Sequence, residues 1–181
     1  MKVLLFLADG FETVEALLTL DLLTRSHRFE ITTVSISGQK SVTSSIGVNV
    51  EADALYEEID PFAFDAIILP GGKKGVDNLK AFAPLSLLLP SFLEKGKDVH
   101  AICAAPSILG SLGLLNDLPY TCFPGFECGE GHYQDVGVVE TAHIITGHSM
   151  GYTMEFASTI IRHYYGEEAV KSTHPGVYGL R

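Results

Sequence analysis

The chain has 181 residues, 46% of them hydrophobic, and a formal net charge of −10. That length suits one domain, 1–181, with a full apolar core, and that composition excludes a disordered chain. The negative charge argues against nucleic acid or an anionic membrane as the main partner, and no apolar run reaches the length of a transmembrane helix.

Val3 to Ala8 is a continuous apolar run, as expected of a strand buried on both faces, and Asp9-Gly10 ends it. The opening apolar stretch is too short for a signal peptide. Glu12 to Arg25 carries apolar residues at helical spacing. Glu30 to Ser35, rich in Ile, Val and Thr, predicts a second strand. Ser37 to Ser45 predicts a turn or hairpin region, with short strands near Val48 to Val50. Ala66 to Leu69 predicts a buried strand that stops at Pro70-Gly71-Gly72. Leu85 to Glu94 predicts a helix, Asp98 to Ile102 a strand, and Ser107 to Leu114 another helix. Tyr120 to Phe123, Val136 to Glu140 and His143 to Thr146 predict strands. Met150 to Tyr164 predicts a long helix and Glu167 to Ser172 a short one. Strands alternating with helices imply an α/β fold with a mainly parallel sheet covered on both faces. Ligands of such folds sit at the carboxyl ends of the strands, where Asp9 to Glu15, Pro70 to Gly75 and Cys103 to Pro106 fall.

Cys103 stands between a strand and a helix that Pro106 helps to start. A sharp strand-to-helix turn lifts one side chain above the sheet, and a helix N-terminus favours a thiolate. On this reading Cys103 is a nucleophile more acidic than a free cysteine. A free cysteine serves equally as a small buried hydrophobe. Cys103, Cys122 and Cys128 are an odd number without metal-ligand spacing, so neither a disulfide framework nor a metal site is expected. A reducing, cytoplasmic setting follows.

Glu15 falls on the first turns of the first helix among apolar neighbours. If it faces the strand ends, desolvation raises its pKa, and it pairs with the cysteine as an acid. Glu12 competes for that role, and both acids equally suit a helix N-terminus. Gly71 and Gly72 leave backbone amides free to face a pocket, and with the Ala104 amide they would line an oxyanion hole for substrate; an ordinary turn has the same sequence. Of seven histidines, His132 in a glycine-rich loop is the best candidate for a second acid or base, followed by His148 before the last long helix. No phosphate-binding glycine motif follows the first strand, and no cofactor is expected.

Four segments taken together resemble the ThiJ/PfpI superfamily, in its Parkinsonism-associated deglycase-like branch. They are Ala8 to Glu15, Asp65 to Gly72, Ala101 to Pro106 and Thr121 to Pro124. The resemblance implies a flavodoxin-like three-layer sandwich, usually a homodimer, with Arg25 near the dimer interface. It implies Cys103 as nucleophile, Glu15 as the acid that holds and protonates it, and Gly72 and Ala104 as oxyanion donors. Ala104 replaces the histidine that follows the cysteine in the protease-like branch, which argues against peptidase activity. Ser149-Met150-Gly151-Tyr152 replaces a Gly-Pro-Gly-Thr turn and reshapes the pocket. The His-x-Glu partner pair of glutamine amidotransferases is not evident. The implied activity is a cofactor-independent glyoxalase or deglycase acting on small carbonyl substrates, reactive dicarbonyls or early glycation adducts. The alternative is a non-enzymatic oxidative-stress sensor or chaperone using an oxidisable Cys103.

Overall fold

The computed structural model describes residues 1–179. Seven strands form the main sheet, in the order β10-β11-β7-β6-β1-β2-β5. They are β1 (Lys2–Leu7), β2 (Glu30–Ser35), β5 (Ala54–Leu55), β6 (Ala66–Leu69), β7 (Asp98–Ile102), β10 (Val138–Glu140) and β11 (Ile144–Gly147). All neighbours pair in parallel except β10, which runs antiparallel to β11. The hairpin β3 (Ser41–Thr43) with β4 (Asn49–Glu51), and the parallel pair β8 (Pro119–Tyr120) with β9 (His132–Tyr133), lie outside it.

Helices cover both faces, and strand alternation sorts the core between them. Leu4, Phe6, Ile67, Leu69, Val99 and Ala101 pack with residues of α2 (Lys73–Ala81), α3 (Ala83–Glu94) and α4 (Pro106–Ser111). Val3, Leu5, Leu7, Ala66, Ile68 and Ile102 pack with residues of α1 (Thr13–Arg25), α5 (Thr153–Tyr165) and α6 (Glu167–Tyr178). In α3 the buried set is Leu85, Leu88, Leu89 and Phe92, an i, i+3, i+4, i+7 stripe that turns one face to the sheet. The α/β sandwich expected from the sequence is therefore present.

Three details differ from the sequence reading. Lys73 to Ala81 is helical, although it carries a glycine and only Val76 and Leu79 as buried apolar anchors. The strand expected over Tyr120 to Phe123 is confined to Pro119–Tyr120, because the chain leaves β8 to bond the Cys103 turn: Phe123 N–H donates to the Cys103 carbonyl at 2.8 Å. The last helix continues to Tyr178 rather than stopping at Ser172.

The chain moves outward from β1 to β2 and β5, then returns to the other side of β1 as β6. The crevice between the carboxyl ends of β1 and β6 is thus a topological switch point, the place where open α/β sheets bind ligands.

Candidate active site

Glu15 enters this crevice from α1, just past the end of β1. Glu12 caps the helix, its carboxylate accepting the Glu15 N–H at 2.7 Å. The two acids thus part: Glu12 is used in the cap, and Glu15 turns inward at 1% exposure. Glu15 Oε2 accepts the Gly71 N–H at 2.9 Å, while Oε1 is buried without a hydrogen-bond partner. Burial is the main reason the Glu15 carboxyl is raised to about 7; the Cys103 thiol and the Gly71 amide oppose that rise, and the nearby Glu12 charge adds to it.

Cys103 follows β7 with φ 64°, left-handed backbone that is rare for a residue with a side chain. The turn is tied down on both sides. Its N–H donates to the Gly147 carbonyl at 2.8 Å, and its own carbonyl takes the Phe123 amide. Pro106 begins α4 two residues after Ala104. The Gly72 and Ala104 backbone amides near the Cys103 sulfur favour its charged form. Even so, burial first and the Glu15 carboxyl second push the thiol up to about 12. The acidic cysteine expected from the helix N-terminus is therefore not found. Enclosure and a neighbouring acid outweigh two amides and a six-residue helix.

Gly71 is required by closeness. A Cβ there would lie 2.5 Å from Glu15 Oε2 and 2.6 Å from the Cys103 Cβ. Gly72 has φ 87°, and a Cβ on it would strike the Gly10 carbonyl at 2.4 Å. Cys103, Glu15, Gly71, Gly72 and Ala104 are thus brought together.

His132 is not joined to them by any hydrogen bond among the described residues. It is exposed on β9, and its backbone N–H bonds the Leu118 carbonyl. Arg25 is exposed in the last turn of α1 and pairs with Asp21 at 2.5 Å. Sequence reading did not reveal Gly147 and Phe123 as supports of the Cys103 turn; strand register alone would have exposed them. Among the described residues no cluster of His, Cys, Asp and Glu is arranged to hold a metal ion, and no helix is long and apolar enough to cross a membrane.

The model of the DJ-1/PfpI family matches residues 1–163. The chain belongs to the DJ-1/PfpI family. Protein DJ-1 homolog B of Arabidopsis thaliana is 34% identical over 181 residues, covering 96% of this chain and 41% of the plant protein. The chain thus spans about two fifths of that relative's length. A protein named deglycase TK1284, from Thermococcus kodakarensis, is 37% identical over 118 residues, covering 64% of this chain and 68% of the archaeal one. Among solved structures, a DJ-1 superfamily protein from Salmonella typhimurium superposes with a TM-score of 0.92 at 32% identity, over 98% of this chain and 97% of that one.

Proposed function

We propose that this DJ-1/PfpI family member is a cysteine-dependent, cofactor-independent enzyme of the glyoxalase or deglycase type, acting on small reactive dicarbonyls or early glycation adducts. One observation carries the reading: a buried carboxyl poised near neutrality converges with the Cys103 side chain on Gly71, where a Cβ would lie 2.5 Å from Glu15 Oε2 and 2.6 Å from the Cys103 Cβ. The deglycase name of the archaeal relative points the same way.

With methylglyoxal as substrate, the Cys103 sulfur bonds to the aldehyde carbon while the thiol proton passes to the Glu15 carboxylate. The Gly72 and Ala104 amides hold the negative charge that grows on the carbonyl oxygen, which is protonated to give a hemithioacetal. Glu15 then removes the proton from the former aldehyde carbon and returns one to the adjacent carbon. The first carbon is oxidised to a thioester and the second reduced to an alcohol, so no external electron acceptor is needed. Water cleaves the thioester, releasing lactate and restoring the thiol. A near-neutral acid suits this work because it both takes and gives a proton at pH 7.

We also propose that the protein acts as a cytoplasmic homodimer. Val14 on α1 and Ile46 and Val48 between β3 and β4 are large apolar side chains left exposed, and all three cysteines are free. Light scattering that gives a monomer mass at micromolar protein would remove the dimer. The activity is tested by following methylglyoxal loss and lactate formation without glutathione, with loss of both expected in Cys103→Ala. An inactive wild type whose Cys103 gains oxygen selectively under peroxide would favour the oxidative-sensor alternative.

A further inference from the structure

We propose that the cavity enclosed by the end of β1, the β3–β4 hairpin and the first turn of α2 binds a small oxyanion, a phosphate or the phosphoryl group of a phosphate monoester, through Lys73 and Lys74. The site is built apart from the Cys103–Glu15 pair and does not rest on the enzymatic reading above.

The cavity measures about 430 Å³, and Asp9, Gly10, Thr43, Ser45, Lys73 and Lys74 line it. Backbone bonds from three elements fix its frame. The Gly10 N–H donates to the Thr43 carbonyl at 2.7 Å, and the Gly75 N–H to the Gly10 carbonyl at 3.2 Å. The Thr43 N–H donates to Asp9 Oδ1 at 2.8 Å, and the Ser45 N–H to the Phe11 carbonyl at 2.8 Å. Gly10 has φ 88°, and a Cβ on it would lie 2.6 Å from the Lys74 Cβ and 2.8 Å from its Cγ. The glycine therefore lets the Lys74 stem lie against the backbone of the cavity wall.

Charge decides what the cavity takes. The chain carries 22 acidic residues against 12 lysines and arginines, yet two of those cations stand side by side here. Among the described residues neither joins an ion pair, whereas Lys40 and Lys171 both do. Asp9 is the acid in the lining, and one of its oxygens is already held by the Thr43 amide. The Glu12 carboxylate is engaged in the cap of α1. The position of the lysines makes their lack of a partner costlier. They open α2, whose first turn holds no acid, so both cations stand at the positive end of the helix dipole, where acids are the stabilising choice.

Like charges placed together at an unfavourable end are balanced when an anion enters between them. The two ammonium groups are donors only, and the Ser45 hydroxyl adds another donor. A phosphoryl group carries close to two negative charges at neutral pH and answers both lysines at once, with charge-assisted hydrogen bonds. The cavity also adjoins the catalytic turn. Lys73 follows Gly72 directly, and a Cβ on Gly72 would meet the Gly10 carbonyl at 2.4 Å, so the two glycine backbones form a common wall. Two sources of the phosphoryl group fit this placement: free phosphate, or a phosphorylated carbonyl compound whose other end lies at Cys103.

The test follows backbone amide chemical shifts and unfolding temperature while inorganic phosphate replaces chloride at constant ionic strength. It uses wild type, the double variant Lys73→Gln, Lys74→Gln, and Lys80→Gln from the far end of α2 as the control. We expect saturable shifts at Gly10, Ser45, Lys73 and Lys74 and a higher unfolding temperature in wild type and in Lys80→Gln. The double variant should bind phosphate at least ~10-fold more weakly. Both lysines are exposed, so the fold should survive their replacement, and the single variants stand in if it does not. Shifts no larger with phosphate than with chloride overturn the proposal, as does equally tight saturable binding in the double variant. Titrating wild type and Cys103→Ala with glycolaldehyde phosphate separates the sources. Tighter binding by wild type assigns the site to a substrate's phosphoryl group, and equal binding by the two assigns it to free phosphate. None of these titrations needs turnover, so a wild type inactive on methylglyoxal removes the enzymatic reading without touching this one.

Discussion

A Cβ on Gly71 would stand 2.6 Å from the Cβ of Cys103, and 2.5 Å from the Glu15 oxygen that the Gly71 amide binds. The glycine is thus the spacer that lets a thiol and a carboxyl from different strand ends meet. Its backbone does not have the left-handed conformation that Gly72 requires, so the cost of a larger residue here is steric. Gly71→Ala should destabilise the fold by about 1–3 kcal/mol and lower turnover at least ~100-fold by separating the pair. Unfolding curves and initial rates on the same preparation check both. Unchanged turnover would show that the close approach is dispensable.

Glu15 should oppose stability at neutral pH while supporting activity. Its folded pKa is about 7 against an ordinary 4.5, so the folded state holds the proton more tightly than the unfolded chain. The sign follows: its stabilising contribution is complete below pH 4.5 and is lost as pH rises through about 7. At about 1.4 kcal/mol per unit, that loss is on the order of 3 kcal/mol. Glu15→Gln should therefore unfold at a higher temperature than wild type at pH 8, and this advantage should vanish at pH 4. Its turnover should fall by at least ~100-fold. In wild type, kcat/KM should climb through pH 7 as the carboxylate forms. Calorimetry across pH separates the stability effect from the kinetic one.

His100 carries the opposite sign. It is fully buried on β7, with Nε2 2.8 Å from the Tyr164 hydroxyl, which in turn donates to Asp98 at 2.5 Å. Burial lowers its pKa to about 3; the Asp98 charge opposes this and His163 adds to it. The unfolded chain takes up a proton near pH 6.5 that the folded protein refuses, so stability falls as pH drops from 6.5 toward 3. His100→Gln, which keeps a polar partner for Tyr164 without titrating, should lose stability less steeply over that range. Equal slopes in acid denaturation would contradict this.

The layered fold was legible because buried strands and the α3 stripe leave strong apolar patterns. Ala66 to Leu69, all buried, reads directly from its run of apolar residues. The second helix, Lys73–Ala81, was not legible. Its two anchors make a weak pattern, and its position is set by tertiary packing, with Gly75 seated against Phe11. The site divided in the same way. Cys103 announces itself by lying between a strand and Pro106, and Glu15 by being an acid among apolar neighbours. The raised thiol pKa could not be read, because it depends on burial and on a carboxyl 88 positions away in the chain (103 − 15). The bond from the Cys103 N–H to the Gly147 carbonyl follows from register between β7 and β11, which local sequence does not encode.

The central claim is that Cys103 and Glu15 together carry out carbonyl chemistry. The most direct measurement is lactate formation from methylglyoxal, without glutathione, by wild type, Cys103→Ala and Glu15→Gln side by side, with the wild-type thiol verified as reduced. The account predicts steady lactate production by wild type, none by Cys103→Ala, and at least a ~100-fold loss in Glu15→Gln. Lactate production by Cys103→Ala at the wild-type rate, or none by the reduced wild type, would contradict it.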